Sequence, residues 1–171
     1  MKILLKIIGG LLLTIIVGVV GTLIVARFSD GPLAIVAGGA FTTGEMQSGA
    51  EPDWSFVKDM ATVEFQLMDP DRSRTTWIVE HDNRIFIPSG YMTTSWGKLW
   101  KQWPIEAEKD GRAILRVDGK LYERQLVRVT EGEILTPVLS ELSRKYVGET
   151  IPIDAITSGY MWVFELTPRR S

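Results

Sequence analysis

Between Ile7 and Ala26 lie twenty consecutive uncharged residues, nearly all aliphatic. A helix rises about 1.5 Å per residue, so such a run spans roughly the 30 Å hydrocarbon core of a bilayer. Lys2 and Lys6 precede it, and Arg27 and Asp30 follow it. The competing reading is a cleaved signal peptide, with an apolar core of about 7–15 residues and a small-x-small cleavage site. Here the core is longer and ends in Val25-Ala26-Arg27, while Gly38-Gly39-Ala40 lies well past the flanking charges. Length therefore favours a retained anchor over residues 1–27, and no other stretch is apolar for more than a handful of residues. The expectation is a single-pass membrane protein whose first partner is the lipid bilayer.

Two lysines before the span against one arginine after it favour a cytoplasmic N-terminus, with the soluble domain on the non-cytoplasmic, periplasmic side. Within the span Gly10, Thr14, Gly18 and Thr22 recur every fourth residue. That small-side-chain stripe allows close approach of another membrane helix. Gly and Thr are also common in membrane helices without such a partner.

After the anchor come 21 acidic and 16 basic residues, a net charge of −5. Nucleic-acid binding usually needs a basic face and is disfavoured. The chain has no cysteine, which removes disulfides, thiolate metal sites and cysteine nucleophiles. Its one histidine, His81, precludes a multi-histidine metal site and makes a Ser-His-Asp triad improbable, so no metal site is expected.

Residues 28–53 are rich in Gly, Ala, Ser and Thr and read as a lead-in that wraps onto a domain over residues 54–171. Strand-like runs follow at Ala61–Met68, Arg74–Glu80 and Arg84–Pro88, the last two expected to pair as a hairpin across His81-Asp82-Asn83. Trp96–Lys109 reads as helical, with Pro104 marking a restart. Arg112–Val117 and Lys120–Val129 flank Asp118-Gly119, a type I′ hairpin signal that pairs Val117 with Lys120, Leu115 with Tyr122 and Ala113 with Arg124. On the opposite face, Arg112, Arg116, Glu123 and Gln125 suggest a diagonal Arg–Glu contact. Glu133–Val147 reads as a helix capped by Thr136 and ended by Gly148, and Gly159–Thr167 as a final strand. The fold expected is α+β, mostly β: an antiparallel split β-barrel with flanking helices, preceded by one transmembrane helix.

No nucleotide-binding, zinc-protease or nucleophile-elbow motif occurs, and no catalytic residue is named by the sequence. The pattern Arg74-Thr-Thr-Trp-Ile-Val-Glu, Asn83-Arg-Ile-Phe-Ile-Pro-Ser-Gly90, Lys98-Leu-Trp, Trp103-Pro and Asp110-Gly-Arg-Ala-Ile-Leu-Arg-Val-Asp-Gly-Lys resembles the FMN-binding split-barrel superfamily, in particular its deazaflavin-dependent nitroreductase-like branch. The resemblance covers about residues 61–130. It implies a flavin or deazaflavin bound between barrel strands and a loop, often across a homodimer interface. Arg74, Thr75 and Thr76 would face the cofactor phosphate. Ser89, Gly90 and Tyr91 would lie in the following loop, and Lys98 and Trp103 on or near the next helix. The alternative is a split barrel without cofactor, with Arg74 paired to a carboxylate and the tryptophans in the core; acidic Asp69 and Asp71 before Arg74 depart from the family's phosphate segment.

Two functions therefore compete. One is a membrane-anchored flavin- or deazaflavin-type oxidoreductase acting on a lipophilic acceptor. The other is a non-catalytic accessory or scaffold subunit of a membrane complex, docking through the Gly10/Thr14/Gly18/Thr22 stripe and the barrel. Binding of haem or another lipophilic ligand is a weaker third, since no haem-attachment motif exists.

Overall fold

The computed structural model describes residues 2–95, 97 and 101–169. The apolar run forms one helix, α1 (Lys2–Arg27), long and apolar enough to cross a membrane, with a mean hydropathy of 2.7. Its residues are exposed until Ala26, which is buried. A helix apolar on every side and packed against nothing suits a hydrocarbon solvent. Its few hydroxyls are satisfied within the helix: Thr14 Oγ1 donates to the Gly10 carbonyl at 3.0 Å, and Thr22 Oγ1 to that of Gly18 at 2.9 Å.

No free linker follows. Arg27 Nη1 donates to the Asp71 carbonyl at 3.0 Å, and the Ser29 hydroxyl donates back to Ala26 at 2.8 Å. The lead-in then folds over this joint. Gly38 exchanges backbone hydrogen bonds with Ser73, and Gly39 N–H donates to Ser29. A Cβ on Gly38 would lie 1.8 Å from the Gly31 carbonyl oxygen, so only glycine allows the two segments to meet. Asp30 adds a polar clamp. It accepts from the Thr42 amide at 2.7 Å and from the Thr43 hydroxyl, and pairs with Arg116 at 3.0 Å. Burial opposes the Asp30 charge, but these donors overrule it and hold the carboxyl well below the usual carboxylate range.

The domain is one sheet. Its strands are β1 (Glu45–Met46), β2 (Val63–Met68), β3 (Asp71–Thr76), β4 (Val79–His81), β5 (Arg84–Ser89), β6 (Arg112–Val117), β7 (Lys120–Val129) and β8 (Trp162–Pro168). Their order is β3-β2-β6-β7-β8-β5-β4, antiparallel throughout, with short β1 parallel to the start of β7. The two edge strands, β3 and β4, are consecutive in sequence and joined by Trp77-Ile78 alone. Three residue steps reach at most roughly 10 Å, so the sheet must curl until its edges nearly touch at that corner. The result is an antiparallel half-barrel, closed at Trp77-Ile78 and open beyond it. β4 pairs only with Arg84, Ile85 and Phe86, which leaves Ile87–Ser89 of β5 facing the opening. Pro88 suits that edge because it has no N–H to leave unpaired.

The hydrophobic content divides between the two faces. Inside the curl, Phe65, Leu67, Ile85, Ile87, Leu115, Leu126 and Phe164 pack with Trp54 from a 3₁₀ turn (Trp54–Asp59) and with Trp103 and Ala107 from helix α2 (Trp103–Lys109). Outside, Val79, Phe86 and Val163 are covered by helix α3 (Leu135–Leu142) and by Ile156 of the short helix α4 (Asp154–Thr157).

The hairpin at Asp118-Gly119 has the register expected from its two-residue turn. Three other expectations change. The run 74–80 is not one strand: β3 pairs with β2, and the hairpin partner of β5 is only Val79–His81, across Asp82-Asn83 in the left-handed region. Alternation hid this corner, because Trp77 and Ile78 continue the β-like composition. Thr136 is not a cap: α3 starts at Leu135 and has no side-chain cap, and it passes into a π-turn, Ser143–Val147, before Gly148. Arg116 pairs with Glu64 on β2 and with Asp30, while Glu123 pairs with Arg169, so no diagonal Arg–Glu contact forms within the β6–β7 hairpin. The helix expected over 96–109 is seen from Trp103, with Pro104 in its first turn; residues 96 and 98–100 lie outside the described residues.

Candidate functional site

The opening of the half-barrel is a cleft of about 1650 Å³. One wall is the edge strand β3. Its register with β2 sets Arg72 beside Leu67, Arg74 beside Phe65 and Thr76 beside Val63. Cross-strand neighbours share a face, so the arginines project from the same face as the apolar interior. An edge strand with inward charge resists pairing with another chain. It also places cations on the wall of an otherwise apolar cavity.

These cations are unequally compensated. Arg74, with 19% of its side chain exposed, pairs with Glu106 of α2 at 3.3 Å and donates to the Arg72 carbonyl at 3.4 Å. Burial pulls the Arg74 guanidinium below its ordinary pKa, and Glu106 acts against that. Arg72 forms no ion pair among the described residues; burial and the nearby Arg27 charge both disfavour its cation, with Glu106 opposing them. Lys101, which also lines the cleft, lies 5.6 Å from the centre of the Tyr91 ring, and burial pulls its ammonium below the usual lysine range. It too has no carboxylate partner among the described residues. Glu149 and Asp154 supply negative charge on a further wall.

The second wall is the end of β5 and its loop. Ser89 is buried in phase with Ile85 and Ile87, and its hydroxyl meets Met92 Sδ at 3.4 Å. Tyr91 adopts φ 64° and stacks edge-on against Tyr160 at 5.3 Å. Gly97 fits beneath this loop because a Cβ there would lie 1.7 Å from the Tyr91 carbonyl oxygen. At the corner, Trp77 stacks flat on Tyr146, with ring centroids 4.5 Å apart and planes 3° apart. The Tyr146 hydroxyl accepts from the Ile78 amide at 3.0 Å and lies 2.8 Å from the carbonyls of Ala61 and Ile78, which pins the corner.

Seven of the eight residues singled out by the family resemblance line this one cleft: Arg74, Thr75, Thr76, Ser89, Gly90, Tyr91 and Trp103. Lys98 lies outside the described residues. Their situations differ. Thr76 shares the inward face with Arg74, whereas Thr75 alternates to the other face of β3. Trp103 is only 7% exposed and packs edge-on against Phe65 at 5.0 Å, so it is the floor of the cleft rather than a free aromatic surface. The sequence reading missed Arg72, Lys101, Glu106 and Tyr160. Period-two spacing could have found Arg72, which stands two residues before Arg74 on one strand. Nothing local signals the others, since they arrive from α2, from the residues just before it and from the segment before β8.

The polar inventory fits a phosphate-bearing planar ligand in part. Lys101 is a half-buried cation without a carboxylate partner among the described residues, and Thr76 and Ser89 add hydroxyls to the lining. Exposed faces of Trp77 and Tyr91 could flank a ring. Against this, Glu106 already occupies Arg74.

No family model matches the chain, and no curated protein matches it by sequence. Several solved structures resemble it, two of them as follows. One is a conserved hypothetical protein from Mycobacterium tuberculosis, at 15% identity and a TM-score of 0.46, covering 77% of this chain and 86% of that one. The other, from Listeria innocua, carries a proposed pyridoxamine 5′-phosphate oxidase activity; it is 12% identical at a TM-score of 0.44, covering 68% of this chain and 90% of that one.

Proposed function

We propose that this chain is a membrane-anchored oxidoreductase whose cleft holds a flavin or deazaflavin coenzyme and serves a lipophilic acceptor. The observation that carries the reading is the meeting of Arg74, Thr76, Ser89 and Tyr91 in one cleft with Lys101, a half-buried cation lacking a carboxylate partner among the described residues. Lys101 and Arg74 would hold the phosphate, with the Thr76 and Ser89 hydroxyls completing it. Tyr91 and Trp77 would cover the ring system, and the apolar lining from Trp103 to Met161 would exclude water from it. The coenzyme would supply hydride transfer. The flanking charges of α1 favour a domain on the non-cytoplasmic side, which makes a membrane-borne redox partner the natural one.

The test is equilibrium titration of the purified full chain in mild detergent with FMN and with a deazaflavin coenzyme. Uptake of either at micromolar concentration, weakened by Lys101→Ala, is the expected result. Uptake of neither overturns the reading.

A second reading has its own observation. Glu106 neutralises Arg74 and Trp103 is built into the core, as in a split barrel that has no cofactor. The protein would then be an accessory subunit, meeting partner helices through Gly10, Thr14, Gly18 and Thr22. Among the described residues, nothing outside the helix's own backbone approaches an added Cβ at Gly10 or Gly18 within 4 Å. Co-purification with a larger complex, lost on Gly10→Leu and Gly18→Leu, distinguishes this from coenzyme binding.

A further inference from the structure

We propose that the cleft opens sideways into the bilayer, and that its mouth holds the head of an anionic phospholipid between Arg27 and Arg72, with an acyl chain lying along Leu23 and Ile35. This goes beyond the coenzyme reading, which concerns the deeper wall at Arg74 and Lys101, and does not depend on it.

The first observation is where the anchor stands. Leu23 belongs to the apolar run, about 6 Å of helix rise before Arg27, yet it lines the same cleft as Arg72 and Arg74. A cleft bounded by a residue of the membrane span has its mouth at the depth of the membrane surface. The second is that the geometry is fixed. Buried Ala26, the Arg27–Asp71 hydrogen bond, the Gly38–Ser73 bridge and the Asp30 clamp tie the helix to the barrel. The third is the apolar surface at the exit. Phe28 is 84% and Ile35 86% exposed, and nothing in the domain covers them. A lipid surface covers them without any change in the fold.

The fourth observation selects the head. Arg27 donates to the carbonyl of Asp71, the neighbour of Arg72, so the two guanidinium groups share one corner of the cleft. Neither forms an ion pair among the described residues. Glu106 is the carboxylate facing this wall, and it is bonded to Arg74; Glu149 and Asp154 belong to the segment before β8. Two guanidiniums without an ion-pair partner among the described residues, beside an apolar strip, match a phosphate with a chain attached. Free phosphate would leave the strip exposed. Burial and mutual repulsion, which both disfavour the Arg72 cation, would be relieved by that anion. A lipophilic reactant entering past this head would reach the inner wall without crossing water.

The test uses the full chain in phosphatidylcholine vesicles containing phosphatidylglycerol. Because the protein has no cysteine, Ile35→Cys carries a single environment-sensitive fluorophore, and Asp82→Cys, at a turn outside the cleft, serves as reference. The Ile35 label is expected to be blue-shifted and quenched by lipids brominated in their chains, and the Asp82 label to be neither. Preference for spin-labelled phosphatidylglycerol over phosphatidylcholine should fall about fivefold in Arg72→Gln, the value of one basic residue at an anionic surface. It should survive in Arg72→Lys and be unaffected by millimolar inorganic phosphate. A water-exposed Ile35 label, an unchanged preference in Arg72→Gln, or displacement by inorganic phosphate overturns the proposal. Flavin uptake measured on the same variants is a separate readout, so either conclusion can fail alone.

Discussion

Arg74 of the edge strand and Glu106 of α2 meet at 3.3 Å across the wall of the cleft, where each side chain is about three-quarters withdrawn from water. The pair is the point at which the two functional readings divide. If the cleft takes a coenzyme phosphate, Glu106 competes with it for Arg74. Glu106→Gln should then tighten FMN binding several-fold, and Arg74→Ala should weaken it about tenfold, or ~1.4 kcal/mol. If the barrel has no cofactor, the pair is structural, and Glu106→Ala costs about 1–3 kcal/mol in urea denaturation with no binding to change. Titration and denaturation of the same three variants separate the cases.

Asp30 predicts an acid sensitivity. Its carboxyl titrates below the ordinary carboxylate value in the folded protein, held there by Thr43, Thr42 and Arg116 against the effect of burial. A depressed folded pKa contributes stability that is fully present above the unfolded value, about pH 4, and is lost as pH falls below it. The stability gap between the native chain and Asp30→Asn should therefore be constant from pH 7 to about pH 5 and shrink below pH 4. Denaturation midpoints across that range check it.

Arg124 should be a large stability determinant although it touches no candidate site. Its side chain is 2% exposed, pairs with Glu51 at 2.8 Å and lies over the rings of Trp54 and Tyr122. Arg124→Ala leaves a cavity beside Trp54 and Tyr122 and removes the ion-pair partner of Glu51, and should cost about 2–5 kcal/mol, mostly from the lost packing. Arg124→Met, which keeps the apolar stem, should cost markedly less, because one guanidinium nitrogen, Nε, already lacks a partner. Urea denaturation measures both.

Gly38→Ala should loosen the joint between α1 and the half-barrel without unfolding the sheet. The added methyl would collide with the Gly31 backbone, so the lead-in must move off β3. Limited proteolysis should cut residues 28–44 faster, at least about tenfold if the local opening is eased by ~1.4 kcal/mol, while the β6–β7 hairpin keeps its hydrogen-exchange protection.

Local chemistry was legible wherever a few adjacent residues decide the outcome. Asp118-Gly119 specifies its turn, and the turn fixes the register of β6 against β7. Pro104 marks the start of α2, and Gly148 ends the helical segment before it. The cleft was legible only through a pattern resemblance, which gathered seven of its lining residues; that Trp103, at the start of α2, packs into the core follows from contacts with Phe65 and Phe164 that its own segment does not signal.

The long apolar helix α1, the two-residue turn and the alternation of the inner face could be read from adjacent residues alone. These depend on runs of side chains whose effect does not need a partner elsewhere in the chain. The tertiary structure alone decided that Trp77-Ile78 breaks one apparent strand into two edges, and that Arg116 turns away from Glu123 toward Glu64 and Asp30. It also brought Glu106 and Lys101 to the cleft, together with Leu23 of α1. Each of those is a contact between segments distant along the chain, and closing the sheet on itself is what brings them within range.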